Sequence, residues 1–174
     1  EVVKASWHEV PIPRRYRDGP LTGIEFDPHN ENIVFLSYGS STADFGPDFG
    51  SEMVYRMDYT NLSLYPAGSF DCEGLPCADI TMNLPLCFTE RLNLAFEQGS
   101  DEGLYFATEV GVYFTNRTRI AAFTNGLVQS PDDPENTSGW VRVGDGLPHV
   151  RPKGLEINYA INQLRVGTFG RGVW

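Results

Sequence analysis

Three stretches of this chain repeat one another, which limits the folds open to it more than any other feature. Residues 24–39 (IEFDPHNENIVFLSYG), 94–113 (LAFEQGSDEGLYFATEVGVY) and 155–174 (LEINYAINQLRVGTFGRGVW) each run from a short apolar segment through a polar turn into a second apolar segment. Each is preceded by a matching entry, at residues 7–13 (WHEVPIP), 79–85 (DITMNLP) and 140–148 (WVRVGDGLP). A repeat unit cannot bury its apolar face alone, so units of this kind stack on their neighbours.

The apolar segments are short, rich in β-branched and aromatic residues, and bounded by Gly, Pro, Asn and Asp. That is the pattern of strands and tight turns. Several, such as 33–36 (IVFL), are apolar at successive positions, as in strands covered on both faces. Helical periodicity is nearly absent. Strands are expected at 22–27, 32–38, 52–58 and 78–82 in the first repeat. The second repeat predicts strands at 91–97, 104–108, 111–116 and 139–143, and the third at 153–159, 163–169 and 172–174. Four antiparallel strands in units of this length describe propeller blades. The fold expected is all-β, with about two and a half to three four-stranded antiparallel blades forming an incomplete propeller. The approximate repeats are 7–76, 77–139 and 140–174, with 1–10 as the outer strand of a preceding blade. Closed propellers carry about four to eight blades, so the chain is expected to be a segment of a longer protein that supplies the remaining blades. Trp7, Trp140 and Trp174 are expected to plug the junctions between blades.

The 174 residues carry 13 Lys and Arg against 23 Asp and Glu, a formal charge of −10. This weighs against phosphate backbones and anionic lipid surfaces as partners, because both need clustered cations. No run approaches the roughly 20 apolar residues that span a bilayer. Of the three cysteines, Cys72 and Cys77 flank a turn-like spacer that could join them in a disulfide suited to an exported setting. The alternative is that all three are small buried hydrophobes, and Cys87 is left over.

The phrases GLYFATEVGVYFTN at 103–116, WVRVGDGLP at 140–148 and LEINYAINQLRVGTFGRGVW at 155–174 resemble the bacterial neuraminidase-repeat, sortilin-like propellers of large exported proteins of Bacteroidetes. The resemblance covers nearly the whole chain and implies a secreted or cell-surface location. Relatives with this blade type include sialidases, xyloglucan-degrading enzymes and sortilin-type receptors. The family's Asp-box, Ser/Thr-x-Asp-x-Gly-x-Thr-Trp, survives only in traces near residues 55–60 and 114–118, so no catalytic residue carries over by motif.

The strongest candidate site is the loop of residues 39–52 (GSSTADFGPDFGSE), which repeats Asp-Phe-Gly. Its Asp44, Phe45, Asp48 and Phe49 are candidate ligand-binding residues, since exposed aromatics stack on sugar rings or dock a protein. The competing expectation is that both Phe fold back to cap a blade. Asp44, Asp48 and Glu52 could also ligate calcium, although the spacing lacks the established loop pattern; no other cofactor and no metal site is expected. Asp27, Glu97, Glu109 and Asp145 adjoin turns, where carboxylates commonly serve local hydrogen bonds rather than glycosidic chemistry. Sequons stand at Asn61, Asn116 and Asn136. The function expected is non-catalytic binding of a carbohydrate or protein partner through blade-edge loops. The alternative is part of a glycoside hydrolase, sialidase-like or xyloglucanase-like, with catalytic residues partly outside this chain. A third class is a purely architectural spacer.

Overall fold

The computed structural model describes residues 10–13, 21–39, 53–65, 72, 74–85, 93–99, 101–144, 146–147 and 149–174. These residues form three antiparallel sheets, each a meander in chain order. The first holds β1 (Leu21–Asp27), β2 (Asn30–Tyr38), β3 (Val54–Asp58) and β4 (Cys77–Asp79). The second holds β5 (Asn93–Glu97), β6 (Gly103–Thr108), β7 (Gly111–Thr115) and β8 (Val141–Val143). The third holds β9 (Pro152–Asn158), β10 (Gln163–Thr168) and β11 (Gly172–Val173). The turns between strands are fixed by side chains that accept from the backbone two residues on: Asp27 from His29, Glu97 from Gly99 and Asn158 from Ala160.

The repeat unit and the sheet start at different residues. The segments 77–79 and 141–143 open the second and third repeats in sequence, yet they pair backward, onto β3 and β7. Each therefore completes the sheet before it. Residues 1–9, which carry Trp7 and most of the expected outer strand 1–10, lie outside the described residues.

One face of each sheet packs on the next. Ile33, Phe35 and Val54 of the first sheet meet Leu94, Phe96, Leu104, Phe106 and Tyr113 of the second. Ala107 and Val112, on the far side of the second sheet, meet Val166 of the third, with Leu155 and Leu164 beside it. β1 lies against β5, and β5 against β9. β5 and β9 run in the same sense: the Tyr159 hydroxyl, just past β9, donates to the Phe96 carbonyl and accepts from Gln98 N, just past β5. Trp140 is fully buried between the first two sheets, its ring 5.8 Å from Phe106 and its indole N–H 2.7 Å from the Ile80 carbonyl. Trp174, by contrast, is 54% exposed at the outer margin of the third sheet.

The outward face of the first sheet is covered in part by its own chain. Val34, Leu36, Tyr38, Tyr55, Met57 and Tyr65 cluster there with Cys72, Leu75 and Cys77 against them. Cys72 and Cys77 are disulfide-bonded, with Cα atoms 5.4 Å apart.

Among the described residues one α-helix, α1 (Arg117–Thr124), departs from the expectation of strands and loops. It sits in the long link between β7 and β8. Asn116 caps it, the side chain accepting from Arg119 N at 3.0 Å. Its residues form no apolar stripe, and only Arg117, Arg119, Ala121 and Ala122 are strong helix formers, so periodicity does not announce it. Arg119 fastens it by donating to the Gly139 and Asn136 carbonyls.

Candidate binding surface

Antiparallel alternation sends the exits of β6, β8 and β10 to one end of the second and third sheets. At that end the β6–β7 turn faces the link from β8 to β9. Glu109, Val110, His149, Val150 and Arg151 line a cleft there of about 360 Å³. Its floor is fixed. The buried Thr108 hydroxyl donates to the Gly111 carbonyl and accepts from Val110 N, closing the turn. Thr168 repeats the device, donating to the Gly172 carbonyl, and Phe169 N donates to the Arg151 carbonyl at 3.0 Å. The β10–β11 turn and the stretch entering β9 are thus tied together. Glu109 is half-buried, while His149 and Arg151 are exposed, so the cleft presents an imidazole and a guanidinium to solvent beside the Glu109 carboxylate.

A second, apolar groove of about 430 Å³ lies on the other side of the same link, between the second and third sheets. Tyr105, Val112, Val143, Leu147, Leu164, Val166 and Trp174 line it. The Tyr105 phenol is held protonated beyond its usual range, chiefly by burial and then by Glu97 and Tyr159.

The opposite end carries the strongest electrostatic feature. Glu102, in the β5–β6 turn, has a side chain only 2% exposed and a left-handed backbone (φ 51°). Arg56 of β3 grips it with two charge-assisted bonds of 2.7 Å each, Nε to Oε2 and Nη2 to Oε1. Arg117 adds a third bond to Oε1 and also pairs with Asp101. Burial alone would raise the Glu102 pKa; the bonds from Arg56 and Arg117 outweigh it and hold the carboxyl below the usual range. No sequence motif marks Arg56 or Glu102. The available signal is a glutamate in a turn position where glycine is the ordinary choice, which shows that something holds it there.

Asp44, Phe45, Asp48, Phe49 and Glu52, and with them the calcium expectation, lie outside the described residues, as do Cys87 and Asp145. Asp27 and Glu97 are engaged in their own turns. Among the described residues no group of three His, Cys, Asp or Glu side chains could hold a metal ion, and no helix is long and apolar enough to cross a membrane. The three sequon asparagines all hold backbone. Asn61 accepts from Ser63 N, Asn116 caps α1, and the buried Asn136 donates to the Ser130 and Trp140 carbonyls while accepting from Ser138 N. Arg171 presents its carbonyl to the Trp174 indole.

No family model, no curated protein and no solved structure matches the chain.

Proposed function

We propose that the three sheets are propeller blades and that the chain is a non-catalytic binding module of an exported or cell-surface protein. Its ligand is a glycan bearing a carboxylate or sulfate. Two features support the blade reading. The first strands lie side by side, whereas the outermost strands meet end to end: Ile80, one residue past β4, touches Trp140, one residue before β8. Sheets twisted about a common axis behave in this way. The Cys72–Cys77 bond supports an oxidising compartment.

The observation that carries the ligand class is the cleft of Glu109, His149 and Arg151 on a backbone fixed by Thr108 and Thr168. A guanidinium pairs two-pronged with an anionic sugar substituent. In a chain of net charge −10, the Arg151 guanidinium is a local cation that favours an anionic ligand which the rest of the surface repels. The hydrolase reading gains nothing from Asp27 and Glu97, whose carboxylates are spent on turn N–H groups.

The test is a glycan array followed by titration calorimetry. Binding of an acidic glycan should weaken at least tenfold in Arg151→Ala, with the fold unchanged. Binding that ignores Arg151→Ala and Glu109→Gln, or the absence of any acidic glycan among the hits, refutes the assignment.

A further inference from the structure

Two turns of the same construction adjoin Arg151. Thr108 ends β6 and Thr168 ends β10, and each hydroxyl donates to a glycine carbonyl across its turn, at 3.0 Å to Gly111 and 2.8 Å to Gly172. The residue after each threonine therefore stands at the same end of its sheet: Glu109 in the second, Phe169 in the third. Glu109 lines the cleft with His149 and Arg151. Phe169 joins the same link from the third sheet, its N–H donating to the Arg151 carbonyl at 3.0 Å. Arg151 thus belongs to the cleft and to the Phe169 turn at once.

The Phe169 ring is held in place. Gly170 and Gly172 take left-handed backbone, with φ of 74° and 80°, which closes the turn behind it. Lys153 reaches over the ring, its Nζ 5.1 Å from the centroid, in a cation–π contact. Strand register explains how Lys153 gets there. Gly167 pairs with Gly154 and Thr168 with Pro152, so β9 advances two residues while β10 advances one. Lys153 is the extra residue of this bulge, and a bulge re-aims a side chain out of the strand's alternation. Its ammonium takes one face of the ring. Phe169 is still 67% exposed, so the other face is open to solvent.

The charges nearby are of one sign. Arg151 and Lys153 are two residues apart, roughly 7 Å along an extended chain, and Arg171 follows Phe169 in the same turn. All three are exposed. A lone surface Phe needs no explanation. A Phe clamped by a cation on a closed turn, with a guanidinium alongside in a cleft, is a different matter. It offers a flat apolar face for the C–H side of a sugar ring, with cations placed for acidic substituents.

We propose that the ligand of the Arg151 cleft is an acidic oligosaccharide of at least two units. Arg151 holds the acidic group of one unit, and the ring of its neighbour stacks on the open face of Phe169. Phe169 is then a specificity-determining residue, which selects a chain of sugars over a single acidic one. Lys153 steadies the aromatic ring and meets the anionic groups that recur along such a chain. The inference rests on the glycan reading of the cleft and adds to it the length of the ligand and the residue that senses it.

The experiment is titration calorimetry on the whole chain with glucuronate as the single unit and with tetrasaccharides of hyaluronan, chondroitin sulfate and polygalacturonate. At least one tetrasaccharide should bind about tenfold more tightly than glucuronate. Phe169→Ala should cancel that advantage. So should Phe169→Leu, which keeps an apolar side chain without a stacking face, whereas Phe169→Trp should preserve it. Lys153→Ala should weaken the tetrasaccharide several-fold. Circular dichroism should match the parent throughout, since both side chains are exposed. Tetrasaccharides that bind no better than glucuronate, or that bind Phe169→Ala as tightly as the parent, overturn the inference and leave the Arg151 reading standing. Probes that all fail to bind, or that all ignore Arg151→Ala, overturn the Arg151 reading itself.

Discussion

Replacing Glu102 tests how the first two sheets are held together. Its carboxylate is almost wholly buried and takes two bonds from Arg56, itself 26% exposed, and one from Arg117. Hydrogen bonds to charged groups contribute about 1.5–3 kcal/mol each, but much of that is offset by desolvating the ions. Removing one partner leaves the other uncompensated, at a cost of about 3–5 kcal/mol when both are buried. Arg117 is 59% exposed and regains water on release, so its bond adds little. Glu102→Gln should therefore destabilise by about 2–4 kcal/mol in urea unfolding. Arg56→Met should cost about the same, and the double variant should be milder than the sum by about 1–3 kcal/mol. Glu102→Gly separates the charge from the backbone. At φ 51° glycine relieves about 1 kcal/mol of left-handed strain, yet loss of the clasp should still leave the variant less stable than the parent. Additive single variants, or a stabilised Glu102→Gly, would refute the reasoning.

Three further outcomes follow from the same geometry. Because the folded Glu102 pKa is depressed, its contribution is present above the ordinary carboxylate value of about 4.3 and is lost as pH falls through the folded value. Urea midpoints measured from pH 6 down to pH 3 should fall, and less steeply in Glu102→Gln; parallel curves would contradict this. The Cys72–Cys77 bond closes a separation of five residues, for which chain entropy gives about 2 kcal/mol. Calorimetry of Cys72→Ser with Cys77→Ser should show that loss, and an unshifted melt would contradict it. Asn136→Ala orphans the buried Ser138 N–H and removes one donor from the Ser130 carbonyl, and should cost about 1–3 kcal/mol, read by chemical denaturation, where an unchanged midpoint would argue against the bonds.

Strands were legible in the sequence because each carries its own signal. The runs at 33–36 and 104–107 are apolar at every position, and both are covered on two faces. Turns at Asp27, Glu97 and Asn158 were legible through residues that bond their own backbone. α1 was not, since it has no apolar stripe: of its residues Ile120 packs on the main core, and the Asn116 cap and Arg119 reaching the 136–139 carbonyls fasten the rest. The clasp was invisible for another reason: Arg56 and Glu102 are 46 residues apart, and only the stacking of two sheets brings them together. The entry segments open the sequence repeats, yet the strands read at 78–82 and 139–143 as fourth members of the first and second repeats are β4 and β8, which pair onto β3 and β7.

The face-to-face stacking of successive sheets is tested most directly at Trp140. A nuclear Overhauser spectrum of the folded chain should connect its indole N–H to Ile80 and its ring to Phe106, with the N–H protected from solvent exchange. A rapidly exchanging indole with no cross-peak to Ile80 would mean that the first two sheets do not pack on one another.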